Sequence, residues 1–263
     1  MDLDQLDFAA WAGASPTVQR GLAEEAARRT SGHVVTLRNG PTGLPVAELD
    51  VRGCRMVLVP GGASLLGWAG DPLAVDADAL QRYEREQSIS LQERVRSELG
   101  PARTVRLPPF LLEAEARRIA SLIDPYADDV EERLGAIIAG EGFRMVSDDE
   151  WEHAVRAGAT TLFRWGDTWP DGIPYGDETT FTGHRAPTAL GLVVSSDPYA
   201  AEVTSDGTLR GGDGGSAVCG GETPPGSWTS FALAFRVPRE GWEEIVSETF
   251  EEGLVRRALS LPA

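Results

Sequence analysis

Residues 143–167 read FRMVSDDEWEHAVRAGATTLFRWGD, and this stretch decides the fold. Ser147 is placed as an N-cap, Glu150 can reach back to close a capping box, and Val146 can staple onto Trp151. Trp151, Ala154 and Val155 share one face at i, i+3, i+4 spacing, while Glu152 and Arg156 form an i,i+4 pair on another. Gly158 suits a left-handed terminator. The pattern predicts one amphipathic helix of about ten residues, followed by a short strand ending in Trp165-Gly166-Asp167.

Outward from this helix, MVLVPGG (56–62) reads as a buried strand entering a turn. In the first 50 residues, Ser15-Pro16 introduces a helix with Val18, Leu22 and Ala26 on one side, and VVTL and VAELDV read as strands around the NGPTG turn. The charged segment 76–99 places Leu80, Tyr83, Leu91, Val95 and Leu99 at helical spacing, as a solvated excursion with one buried stripe. A helix from about Val130 to Ala139 puts Val130, Leu134, Ile137 and Ile138 on one face. Asp206-Gly207, between EVTS and TLRGG, is a type I′ hairpin signal. The segment WEEIVSETFEEGLVRRALSL (242–261) reads as a C-terminal helix.

The chain has 263 residues, two cysteines and a formal charge of −17. That length supports one sizeable core or two small ones. Two cysteines make no disulfide scaffold. No apolar run approaches the roughly 20 residues of a membrane span, and MDLDQLDF lacks the basic and then apolar order of a signal peptide. The expectation is a cytoplasmic protein with no membrane partner. The negative charge repels nucleic-acid phosphates; it serves solubility first, and partners, if charged, should be cationic.

The order of residues in the opening stretch resembles the R-L-P-T-E-A-E-W-E-x-A-x-R-x-G helix and following W-G-D of the formylglycine-generating enzyme, or sulfatase-modifying factor, family. Arg144, Ser147, Glu150, Trp151, Glu152, Ala154, Arg156 and Gly158 match, as do Trp165, Gly166 and Asp167. MVLVPGGASLLG (56–67), GLVVSS (191–196), LRGGDGGS (209–216) and AFRVPR (234–239) follow in the family's order, the last resembling its closing G-F-R-L-A-R strand. The resemblance spans roughly residues 50–240. It implies an α+β, irregular C-type-lectin-like fold with helical additions at both ends. Residues 1–50 would be an addition packed on the core, 51–240 the family domain and 241–263 a C-terminal helix.

The family's activity is oxygen-dependent oxidation of a substrate cysteine to formylglycine by two cysteines that hold copper(I), four residues apart after an R-G-G-S segment. Paired thiolates suit Cu(I) because both are soft. Here Cys219 follows Arg210-Gly211-Gly212 where the first would fall, but Thr223 stands in place of the second. Cys54 precedes a core strand, with no reason to meet Cys219. A related class holds non-haem iron with three histidines, yet His33, His153 and His184 are far apart and read as surface or satisfied polar groups. The family's calcium segment is reduced to SDPYAAEV (196–203), keeping Asp197 and Glu202 at most.

The chain therefore reads as a degenerate member, a binding or scaffold protein with no metal or other cofactor expected. Its protein or small-molecule ligand would lie on the loops of residues 165–230. Trp165, Trp169, Arg210, Asp213 and Trp228 are the candidate binding residues, each with an alternative structural role. The competing reading is a copper or iron oxidase with Cys219 as metal ligand or nucleophile; only that reading calls for Cu or Fe.

Overall fold

The computed structural model describes residues 1–70, 73–125, 130–175, 181–238 and 251–262. In chain order the elements are α1 (Phe8–Gly13), α2 (Pro16–Arg29), β1 (His33–Asn39), β2 (Pro45–Val51), β3 (Cys54–Val59), β4 (Gly62–Leu66), α3 (Ala77–Glu86) and α4 (Leu91–Glu98). Then follow β5 (Arg103–Leu107), β6 (Phe110–Glu113), β7 (Arg117–Arg118), α5 (Val130–Gly140), β8 (Arg144–Met145) and α6 (Asp148–Arg156). The chain continues through β9 (Glu202–Val203), β10 (Leu209–Arg210), α7 (Ser216–Cys219), β11 (Leu254–Val255) and β12 (Arg257–Ser260). The protein is α+β.

An antiparallel six-stranded sheet, in the order β1-β2-β3-β6-β12-β8, divides two cores. Alternation along β3 shows how. Cys54, Met56 and Leu58 belong to the core that also contains Leu22, Ala26 and Leu134, from α2 and α5. Val57 and Val59 belong to the opposite core, with Phe110, Leu112, Trp151 and Val155. Successive side chains of a strand point to opposite faces, so a run apolar at every position is buried on both. A smaller sheet, β10-β9-β11-β7, and the antiparallel pair β4-β5 complete the strands. A third core, built by Tyr83, Leu91, Val95, Phe163, Trp228 and neighbours, fills the region where regular structure is scarce.

The opening helix forms as expected. Ser147 Oγ accepts from the Glu150 amide, Glu150 Oε2 accepts from the Ser147 amide, and Val146 and Trp151 share a core. The left-handed turn begins one residue early, at Ala157 (φ +47°), and Gly158 continues it at +85°. The expected strand before Trp165-Gly166-Asp167 is a tight turn: Phe163 and Gly166 exchange backbone hydrogen bonds at 3.0 and 3.1 Å, and Asp167 Oδ1 accepts from the Leu162 amide.

Other expectations change. Segment 76–99 forms two helices, because Ser90 and Glu93 make a second capping box. Tyr83, Leu91 and Val95 are fully buried, so this segment is one wall of the third core. On α2, Leu22 and Ala26 are buried but Val18 is 38% exposed. The Asp206-Gly207 turn is not type I′. Gly207 alone is left-handed there, its amide donates to Thr204 O, and the Thr204 amide donates to Thr208 O, giving a three-residue loop.

The largest correction is at the C-terminus. Of the expected helix at 241–263, residues 241–250 and 263 lie outside the described residues and 251–252 are helical, but Leu254–Val255 and Arg257–Ser260 form strands, with β12 seated between β6 and β8. The 234–239 segment does not supply a closing strand over its described residues; it makes isolated bridges, Phe235 to Leu99 and Val237 to Leu209. Arg256, which precedes β12, and Arg257, which begins it, are both buried in ion pairs. Arg256 meets Glu202 at 2.6 and 2.8 Å and donates to the carbonyls of Glu113 and Val193, and Trp151 Nε1 donates to the same Glu202 carboxylate. Arg257 forks onto Glu113 and reaches Glu141 at 2.8 Å. Strands β1 and β2, from the first 50 residues, belong to this same sheet.

Removing one partner of a fully buried pair leaves an uncompensated charge, which is far more costly than losing a surface pair. Glu202→Gln is expected to lower unfolding free energy by about 3–5 kcal/mol, read from the denaturation midpoint in urea. An unchanged midpoint would contradict the role given to this pair.

Candidate functional site

The loops between residues 165 and 230 are held from beneath. Trp165 stacks on Phe163 at 4.7 Å and meets Trp228 edge-on at 5.9 Å; Trp169 meets Phe163 edge-on at 5.0 Å. The three tryptophans thus share one aromatic cluster. Trp228 is fully buried and its Nε1 donates to Gly172 O at 2.7 Å, fixing the loop that carries Trp169. The Trp169 Nε1 is buried without an acceptor among the described residues.

Arg210 and Asp213 occupy separate buried settings. Arg210 is fully buried; its Nε donates to Asp148 Oδ1 at 2.6 Å, its Nη2 to Glu152 Oε2 at 3.1 Å and its Nη1 to Phe235 O at 2.8 Å. Asp213 accepts from the amides of Gly215 and Ala217, both at 2.9 Å, and so anchors α7. Burial pushes the Asp213 carboxyl above its ordinary range, against those amide donors.

Cys219 ends α7, is exposed, and has Tyr199 Oη 3.4 Å from its sulfur. That hydrogen bond, and then burial, push the Tyr199 phenol up to about 12. Cys54 is buried at the start of β3, where burial raises its thiol pKa and Arg257 and Glu113 are its charged neighbours. Both cysteines are free, and the neighbours of the two do not overlap.

The histidines are dispersed. His33 is exposed on β1. His153 Nε2 lies 2.7 Å from Pro60 O, and burial lowers the ring's pKa. His184 differs from a satisfied polar group: it is fully buried among Phe181, Trp228 and Phe231, neither ring nitrogen has a hydrogen-bond partner of good geometry among the described residues, and burial depresses it to about 4. Glu202 is engaged by Arg256 and Trp151, and Asp197 Oδ1 accepts from the Tyr199 amide. Among the described residues no group of three or more His, Cys, Asp or Glu side chains could hold a metal ion.

Two cavities border the segment leading into α3. One, of about 290 Å³, is lined by Trp68, Leu73, Thr161 and Asp167 and reaches Arg156, whose guanidinium already donates to Glu152 and to Gly67 O. The other, of about 330 Å³, lies between α3 and the loops 169–172 and 223–225. Trp169, Pro170, Pro224 and Pro225 give it apolar walls, and Asp76, Arg82, Glu86 and Asp171 line it with charge. Gln87 Nε2 donates to Thr223 Oγ1 at 3.2 Å, joining the end of α3 to the 223–225 loop. Trp169 is legible in the sequence as a candidate and the α3 side is not, although Asp76 before α3 has the character of an N-cap, its Oδ1 accepting from the amides of Asp78 and Ala79. Tyr199 beside Cys219 left no local signal, since the pair is joined only by tertiary folding.

A half-buried acidic cluster adjoins the 223–225 loop through Glu222. Arg94 pairs with Glu98 at 2.8 Å and Glu222 at 3.5 Å, and an added Cβ at Gly226 would strike both Glu222 Oε1 and Tyr83 Cε2. Burial, with the charges of Asp213 and Glu222, pushes the Glu98 carboxyl up to about 7 despite Arg94.

Comparison with protein-family models and with curated proteins finds no match for the chain. Among the described residues no helix is long and apolar enough to cross a membrane.

A raised carboxyl pKa means that the folded state keeps a proton which the unfolded chain has already lost. Stability from Glu98 is fully present below the ordinary carboxylate range and declines as pH rises through about 7. Glu98→Gln, which cannot ionise, is expected to gain about 1–3 kcal/mol on wild type between about pH 5 and pH 8, measured by urea unfolding at each pH. A difference independent of pH would contradict this.

Proposed function

We propose that the chain is a degenerate, formylglycine-generating-enzyme-like protein of the irregular C-type-lectin-like fold. In this reading it is cytoplasmic, lacks the family's copper chemistry, and binds a protein or small-molecule ligand on the 165–230 loops. The observation that carries the reading is the 330 Å³ cavity, because two segments of that stretch form its wall opposite α3. Its volume falls at the lower end of the roughly 300–1,000 Å³ of ligand pockets. A fold alone implies no activity, and the site carries the assignment.

The oxidase reading requires a second soft donor beside Cys219, because one thiolate does not make a linear Cu(I) site. The sulfur's neighbour is the Tyr199 hydroxyl, a hard donor, and Cys54 sits among the charges of β12 and β6. Anaerobic competition for Cu(I) against a chromogenic chelator, followed by oxygen uptake with a cysteine-containing peptide, separates the two readings. Wild type and Cys219→Ser are expected to behave alike, with no stoichiometric copper and no oxygen uptake. Uptake that disappears in Cys219→Ser would establish the oxidase instead.

A further inference from the structure

We infer that the cavity between α3 and the loops 169–172 and 223–225 receives one cationic side chain, lysine or arginine, of a partner protein. The inference rests on the binding reading above and names the ligand class of that site. The walls combine an aromatic face, Trp169, with Pro170, Pro224 and Pro225, and the charged lining is three carboxylates, Asp76, Glu86 and Asp171, against one guanidinium, Arg82. An apolar wall beside carboxylates suits an alkyl stem ending in a cation: the stem covers the ring and prolines while the head meets the acids. The three carboxylates are exposed, and they repel an anionic occupant.

Both walls are anchored, so the cavity is preformed. Trp228 holds the 169–172 loop through Gly172, and Gln87 holds the 223–225 loop through Thr223. Asp76 has one oxygen committed to capping α3, which leaves Glu86 and Asp171 as the principal acceptors. Exposed acids continue along α3 beyond the cavity, at Asp78 and Glu84, interrupted by the exposed Arg85, on a chain of net charge −17. The acidic excess favours a peptide segment over an isolated amine. Arg82 is the cation among the described residues that line the cavity, and it supplies a test of sign.

The full chain is titrated with the capped peptide acetyl-Gly-Gly-Lys-Gly-Gly-amide and with its glutamine counterpart. Binding is followed by the indole NMR resonance of Trp169, assigned through Trp169→Phe. The lysine peptide is expected to shift this resonance saturably and the glutamine peptide not to. Glu86→Gln with Asp171→Asn should weaken binding about fivefold, and Arg82→Gln should tighten it at least about twofold. Glu24→Gln with Glu132→Gln, on α2 and α5, removes the same charge away from the cavity and should leave affinity unchanged. Equal binding of the two peptides, equal weakening by the remote pair, or weaker binding in Arg82→Gln would each overturn the inference. Unchanged near-ultraviolet circular dichroism establishes that the variants are folded. Failure here leaves the copper and oxygen result standing, so the cationic ligand and the binding reading fail separately.

Discussion

The carboxylate of Glu152, fully buried, is approached from several elements at once. Oε1 accepts from Arg156 Nε at 2.8 Å and from the Gly67 amide at 2.5 Å; Oε2 accepts from Arg210 Nη2 at 3.1 Å and Arg103 Nη2 at 3.3 Å. One side chain of α6 thereby ties together the end of β4, the start of β5 and the strand β10. Asp148, a turn earlier, holds the other edge of the Arg210 guanidinium, whose Nη1 reaches the Phe235 carbonyl. A region with few long strands cannot rely on ladders to satisfy its backbone. It relies here on buried guanidiniums that donate to carbonyls on one side and to carboxylates on the other.

Such networks favour one arrangement more than they add net stability, because taking the charges out of water offsets most of their attraction. The geometry around Gly67 illustrates the selectivity. Its φ is +78°, and an added Cβ would lie 2.1 Å from the Pro101 carbonyl, so glycine alone lets this backbone approach Glu152 and β5 together. The Glu202–Arg256 pair performs the same service for β12, and the indole of Trp151 contributes to it. Trp151 and Glu152, adjacent on α6, therefore serve the two sides of the molecule: one the closing strand, the other the loops.

What could be read from the sequence follows from how local each cause is. The capping box at Ser147 and Glu150, the two-faced strand around Met56 and the helix at 130–140 depend on neighbours within a few residues, and they formed where expected. The C-terminal strand did not show itself, because its buried arginines are indistinguishable from surface charge until Glu202 and Glu113, 54 and 144 residues away, are placed beside them. The candidate site divides in the same way. Trp165, Trp169 and Trp228 converge on one cluster, but of the three Trp169 alone lines the cavity, whose opposite wall comes from Asp76, Arg82 and Glu86, at and within a helix far earlier in the chain. Arg210 was legible as a residue of consequence, and the structure gives it a structural partner set in α6.

Helix α6 organises the irregular half, and amide hydrogen exchange on Glu152→Gln tests this most directly. That variant keeps the shape of the side chain but removes its charge. Protection should fall at Gly67, Leu209 and the neighbouring 232–237 backbone, while β1, β2 and β3 retain the protection of wild type. Exchange unchanged around Gly67 and Leu209, or lost equally from β1 to β3, would contradict the claim that this one buried carboxylate holds the loops in place.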